Sequence, residues 1–190
     1  MAFLTDCGEE VKQSHLAHLL RAAARIVKGE QMLVIGSQSI LATYPEDELP
    51  EVATMSMEAD VAFFDDPDNM KSDIAESLLG ELSMFHEAFG YYLQSVSLET
   101  AVLPDGWERR LVPFSQGNYG DADARCLEVH DLAIAKLVAN RSKDREFVQA
   151  LMTEYIALQG ILTERALELD EPYEVVSRVL GSIRALSPVA

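Results

Sequence analysis

Cysteine is scarce in this chain: Cys7 and Cys126 are the only two in 190 residues. Two distant thiols build no disulfide framework and offer no zinc-ligand spacing. No apolar run is long enough to cross a bilayer. The opening MAFLTDCGEEVK carries acids where a signal peptide needs a basic region. These absences point to a cytoplasmic protein with no membrane association and two ordinary thiols. Also missing are a glycine-rich phosphate loop, a Rossmann fingerprint and a nucleophile elbow. His15 and His18 are expected on the surface of a first helix, and His86 is followed by no second ligand at metal spacing.

Positive charge is the next shortage. Lysine and arginine number 15 against 32 acids, a net charge of −17. The imbalance is local. Residues 29–108 hold seventeen acids and one basic side chain, Lys71, whereas residues 109–190 hold ten basic and twelve acidic ones. Free nucleic acid would be repelled by the middle segment. A phosphate-bearing ligand needs metal ions there, or cations brought from elsewhere in the chain. Acidic surface also serves solubility, which is the plainer reading of most of these residues.

What is present fits one domain, or one domain with an appended helical part. Apolar residues make up 48% of the chain, enough for a full core. Asp6 and Glu9 have capping-box spacing ahead of Leu16, Leu19, Leu20, Ala23 and Val27, which recur at helical intervals up to Gly29. Residues 32–35 form a β-type run that stops at Gly36, and residues 37–43 can begin a helix. PEDELPEVATMS reads as a loop, and residues 57–64 as a strand. Residues 71–89 read as one or two helices. Residues 91–96 and 99–103 read as extended segments, and Pro104-Asp105-Gly106 as a turn before Trp107, a packing residue. Strands are expected at 110–114 and 125–129, on either side of a polar loop at 116–123. From His130 the pattern is helical, over residues 131–140, 143–158, 162–169 and 172–186. In the last of these Val175, Val176, Val179, Leu180 and Ile183 share a face. The expected fold is α+β (mixed α/β): a small mixed sheet flanked by helices over residues 1–129, with a C-terminal helical part, residues 130–190, packed on it.

Two features carry chemistry. The strand at residues 57–64 contains Glu58 and Asp60, two apart and so on one face, opposite Met57, Ala59, Val61 and Phe63. Adjacent carboxylates repel and raise each other's pKa, and a divalent cation relieves that penalty. A solvated strand face would tolerate the same pattern. Gly36-Ser37 ends the preceding strand and presents backbone N–H groups and a hydroxyl to an anion, although by itself it is also simply a turn.

Ile35-Gly36-Ser37-Gln38-Ser39-Ile40, a spacer of about twenty residues, and Ser56-Met57-Glu58-Ala59-Asp60 together resemble the nucleotidyltransferase fold. Within it they resemble the bacterial families related to abortive-infection toxins of toxin–antitoxin systems. His130 to Asp144 is similar to the Asp-Leu…Lys-Leu…Arg…Lys-Asp segment of those families. The resemblance spans roughly residues 30 to 155. It implies that Gly36 and Ser37 hold a triphosphate, that Glu58, Asp60 and Glu99 bind Mg²⁺ or Mn²⁺, and that Lys136 reaches the ligand phosphates. The implied activity is transfer of a nucleoside monophosphate from a nucleoside triphosphate to a protein, small-molecule or RNA acceptor, in a toxin–antitoxin or defence setting with a partner protein. Asp131 and the Lys143-Asp144 pair also read as a helix cap and surface charges, and Arg109-Arg110 as phosphate contacts or partners of Glu108. Three departures stand out. Glu58 occupies a position where aspartate is usual, Thr54 stands where an arginine is common, and residues 91–98 lack the third carboxylate, for which Glu99 is the nearest substitute, ahead of Asp105. These departures support an alternative: a catalytically lapsed nucleotidyltransferase fold acting as a binding protein or antitoxin-like partner.

Overall fold

The computed structural model describes residues 11–28, 31–116 and 123–187. The first helix, α1 (Gln13–Val27), is followed by β1 (Gln31–Val34), a 3-10 turn at Ser37–Ala42 and a shorter one at Glu46–Glu48. Next come α2 (Glu51–Thr54), β2 (Glu58–Phe63), α3 (Met70–Leu79), α4 (Met84–Phe89) and β3 (Tyr92–Ser95). Two further 3-10 turns, Leu98–Thr100 and Trp107–Arg110, lead into β4 (Val112–Pro113) and β5 (Asp123–Cys126). The chain closes with α5 (Val129–Ala139), α6 (Ser142–Thr153), α7 (Gln159–Leu167) and α8 (Tyr173–Leu186).

The five strands form one mixed sheet in the order β3-β2-β1-β5-β4. β1 runs antiparallel to β2 and parallel to β5, while β2 runs parallel to β3. A parallel pair needs a long crossover. α3 and α4 supply it between β2 and β3. β3 is an edge strand, and α3 covers part of that edge: the Ser95 amide donates to the Glu76 carboxylate, and Ser95 Oγ donates to the Ser72 carbonyl (3.0 Å). One continuous apolar core unites α1, the sheet and the C-terminal helices. α1 contributes Leu16, Leu19, Leu20 and Ala23, as the helical spacing predicts.

Several expectations need correction. The 37–43 segment is helical as expected, in the 3-10 form over Ser37–Ala42, but the 45–56 loop contains α2. Residues 99–103 form no strand, because Leu98–Thr100 folds as a 3-10 turn in which the Ser97 hydroxyl accepts from the Glu99 amide. Met57 does not join Ala59, Val61 and Phe63 in the core. His15 and His18 are half-buried: His15 stacks on Tyr91 with ring centroids 4.5 Å apart, and His18 Nδ1 lies 2.8 Å from the Tyr91 hydroxyl. The capping residues Asp6 and Glu9, Gly29 and most of the 116–123 loop lie outside the described residues. The turn at Pro104-Asp105-Gly106 is present, with Gly106 at φ +75°, where a side chain would be strained.

α5 is buried on most of its surface, through Val129, Leu132, Ala133, Ile134 and Leu137. Its position is set by polar anchors at both ends. At the N-terminus the Glu128 carboxylate caps it, accepting from the His130 and Asp131 amides. His130 Nε2 accepts from the Leu158 amide (3.1 Å), which leaves Nδ1 to donate to Glu128 (2.6 Å). At the C-terminus Arg178 of α8 donates to the Leu137 and Val138 carbonyls (3.1 and 3.0 Å), groups that a helix end leaves unpaired.

Candidate active site

Asp60 and Glu58 project from one face of β2, as period-two alternation requires, and both line a cleft of about 570 Å³. Gly36 and Ser37 reach it from the end of β1. The Ile35 amide donates to the Asp60 carbonyl (3.0 Å), so the β1 terminus lies directly beside the acid pair. Ser39 Oγ donates to the Gly36 carbonyl (2.7 Å) and braces the turn. Lys136 also lines the cleft, from α5, joined by Arg141 and Lys143 at the α5–α6 corner. Gly36, Ser37, Glu58, Asp60 and Lys136 therefore meet in one place. Glu99 does not: it is exposed on its 3-10 turn, outside the cleft lining, although its neighbours Thr100 and Ala101 contribute to that lining. Asp105 also lies outside it.

The glycine is required by space. Its backbone is extended, at φ −75° and ψ −168°, so conformation does not demand it. A Cβ on Gly36 would stand 1.9 Å from Asp60 Oδ2 and 2.8 Å from its Cγ. The Asp60 carboxylate thus lies against bare backbone. Burial, followed by the adjacent Glu58 charge, pushes the Asp60 carboxyl above its ordinary range, while Lys136, Lys143 and Arg141 pull it back down. Glu58 is held by the Tyr92 hydroxyl, which donates to Oε2 (3.2 Å). Burial and the Glu58 charge push the Tyr92 phenol up to about 12, so it stays a donor.

The β2–β3 register shows what stands beside the acids. Glu58 is paired with Tyr92 and Asp60 with Gln94. Gln94 lines the cleft, so the neighbouring-strand position that could carry a third acid carries a neutral amide. Among the described residues no group of three or more His, Cys, Asp or Glu side chains is arranged to hold a metal ion. Glu58 and Asp60 are the pair that could share one.

Lys136 is 15% exposed at its side chain, with Nζ 3.5 Å from Asp144 Oδ1 and 4.4 Å from the Phe147 ring centroid. Burial lowers its pKa, against the raising influence of Asp144 and Asp60. Asp144 is no surface charge: its side chain is 0% exposed, and Arg141 Nε donates to it at 2.6 Å. Burial pushes its carboxyl up, but the Arg141 hydrogen bond and the Lys136 charge prevail and leave it below the ordinary range. Asp144 thereby fixes two of the three cations of the cleft.

Asp131 is no helix cap. Its carboxylate is 1% exposed and takes two hydrogen bonds from Arg110, Nε at 2.8 Å and Nη2 at 3.0 Å, with Arg165 Nε 3.5 Å away. Burial raises its pKa while the Arg110 hydrogen bonds and charge lower it, leaving it above the ordinary value. Arg110 therefore serves this buried cluster, and neither it nor Arg109 lines the cleft. Sequence reasoning missed Gln94, Arg141 and Asp144 as parts of the site. The parallel register exposes the first, and the three-residue spacing of Arg141 and Asp144 was the available signal for the others.

A mixed sheet flanked by helices, with a Gly-Ser turn beside a strand-borne acid pair, is an arrangement of the nucleotidyltransferase type. The model of a family described as "Nucleotidyltransferase of unknown function (DUF6036)" matches residues 14–177, and the chain belongs to that family. No curated protein and no solved structure matches it.

Proposed function

We propose that this protein is a magnesium-dependent nucleotidyltransferase that moves a nucleoside monophosphate from a nucleoside triphosphate to an acceptor. The observation that carries the reading is the convergence of Gly36-Ser37, both β2 carboxylates and Lys136 on one cleft. The donor set suits one hard divalent cation, Mg²⁺ or Mn²⁺. Two carboxylates can hold such an ion when substrate phosphates and water complete its shell. The raised Asp60 carboxyl and the bare Gly36 backbone beneath it are consistent with a cation partner. When bound, the ion supplies Lewis-acid neutralisation of phosphate charge.

The chain's own residues do the rest. The Ser37 hydroxyl donates to a triphosphate oxygen. Lys136, Arg141 and Lys143 bring positive charge to a ligand that the acidic middle segment would repel. One of the two carboxylates accepts the proton of the acceptor hydroxyl as its oxygen bonds to the α-phosphorus and the bond to pyrophosphate breaks. The acceptor is a protein side chain, a small molecule or an RNA end. The toxin–antitoxin setting and a partner protein rest on the motif likeness described above.

A second reading has its own support. Gln94 opposite Asp60, with Glu99 outside the cleft, leaves two strand-borne acids where two-metal chemistry usually needs three, the other acid of the lining, Glu146, coming from α6. That favours a lapsed enzyme that works as a binding partner. Incubation with each labelled nucleoside triphosphate and Mg²⁺, with and without cell extract, separates the two. A labelled product that disappears with Glu58→Gln/Asp60→Asn supports transfer. No product and no nucleotide binding in Mg²⁺ supports the lapsed fold.

A further inference from the structure

The outer face of α3 and the turn after it leave five large apolar side chains in water: Met70, Ile74, Leu78, Leu82 and Met84, the last two 81% and 86% exposed. Met70, Ile74 and Leu78 are four residues apart and share one helix face. Ala75 and Leu79 are buried in the common core, so α3 already spends a different face on folding. Isolated exposed leucines are ordinary, whereas a continuous apolar stripe marks a binding surface.

The turn adds an independent observation. Leu82 has φ +62°, a left-handed conformation that bulky side chains rarely adopt. It is fixed there: the Leu82 amide donates to His86 Nδ1 (3.0 Å), and the Ser83 hydroxyl accepts from the His86 amide (3.1 Å). The local structure thus holds a strained leucine out in solvent, and strain of this kind gathers at functional sites.

Charge decides what fits. Residues 65–89 contain seven acids, with Lys71 as the sole lysine or arginine, and Lys71 lies 3.9 Å from Asp65. Asp73, Glu81 and Glu87 are exposed along the stripe. Nucleic acid and anionic lipid are repelled by this border, and a second copy would set acid against acid. We infer that the α3–α4 face is a docking surface for an amphipathic helix of a protein partner, with apolar side chains on one side and lysine or arginine along the flanks. No residue of this face lines the cleft, so the partner and a cleft ligand can bind together.

The test uses the full chain and a fluorescent synthetic helix with leucines on one face and lysines at its flanks. A matched peptide with glutamate in place of lysine serves as the control. Fluorescence anisotropy is expected to show saturable binding of the lysine peptide, weakened by salt. Ile74→Gln/Leu78→Gln, which leaves the charge unchanged, is expected to lower affinity by about ten-fold or more. If that pair melts early by circular dichroism, Leu82→Gln/Met84→Gln gives the same reading from the turn. Absence of binding, equal binding to wild type and variant, or equal binding of the glutamate peptide overturns the proposal. So does a concentration-dependent dimer in sedimentation that the same substitutions abolish, which would assign the face to a second copy.

Discussion

At Gly36 there is no room for a side chain, and the atom in the way belongs to Asp60. Gly36→Ala must therefore swing the Asp60 carboxylate off its position while leaving the extended backbone undisturbed. The expected outcome is a thermal midpoint within a few degrees of wild type and loss of Mn²⁺-dependent nucleotide binding, both readable from one set of melting curves with and without ligand. Asp60 itself tests the electrostatics. Its folded-state pKa is raised, so the proton favours the folded form. That stabilisation is fully present below the unfolded value, about 3.9, and is lost as pH rises through the higher folded value. At neutral pH the ionised group costs stability, and Asp60→Asn is expected to match or exceed wild type in metal-free urea unfolding. The advantage should vanish near pH 3. A clear loss of metal-free stability at pH 7 would mean the carboxylate is structural. At this scale the sequence made Gly36, Ser37, Glu58 and Asp60 legible, because alternation and a strand-ending Gly-Ser are local patterns. Gln94 was hidden, because only the parallel register puts it beside Asp60.

Among the elements, α5 ties the fold to the site. One end of it carries the buried Asp131, gripped by Arg110 and approached by Arg165; the other carries Lys136 into the cleft. The helix was legible from its length and apolar content. The polar residues of α5 and α6 were misjudged: Asp131 and Asp144 looked like a cap and a surface charge because burial of an ion pair depends on tertiary packing. Asp131→Ala takes the buried carboxylate away from Arg110 and Arg165 and leaves them only the half-exposed Glu168 as a shared partner. Removing one member of a buried ion pair costs roughly 3–5 kcal/mol. Denaturant unfolding is expected to show a loss of that order, and a change below about 1 kcal/mol would place the cluster among weak surface pairs. Lys136→Met works differently. It keeps the packed stem beside Phe147, and Asp144 retains Arg141, so stability should change little. Nucleotide affinity in Mg²⁺ should fall about ten-fold, the size of one charge-assisted contact. Unchanged affinity would remove Lys136 from the phosphate site.

Across the whole molecule, the charge segregation of the sequence is resolved by folding. The middle segment, with seventeen acids and Lys71, supplies Glu58 and Asp60 to the cleft, and the C-terminal half brings Lys136, Arg141 and Lys143 to face them. Fold class was readable from the sequence. The crossover helices α3 and α4 were also readable, as one or two helices over residues 71–89, but the strand order was not, because it depends on which strands pair at long range. With Glu146 included, three acids and three cations line the cleft, which makes it far less repulsive than the segment around it. A triphosphate nevertheless brings several negative charges toward Glu58 and Asp60, and three cations, two of them already paired with Asp144, do not neutralise them all. Binding should therefore depend on a divalent ion. Isothermal titration of a non-hydrolysable nucleoside triphosphate is expected to give at least about ten-fold tighter binding in Mg²⁺ than in EDTA, the cation reversing repulsion between like charges. In Glu58→Gln/Asp60→Asn the magnesium advantage should shrink, and binding in EDTA should improve, because the repelling carboxylates are gone. Equal affinity in Mg²⁺ and EDTA for the wild type would show that the acids face something other than a metal-bound phosphate, and the catalytic reading of the cleft would fall with it.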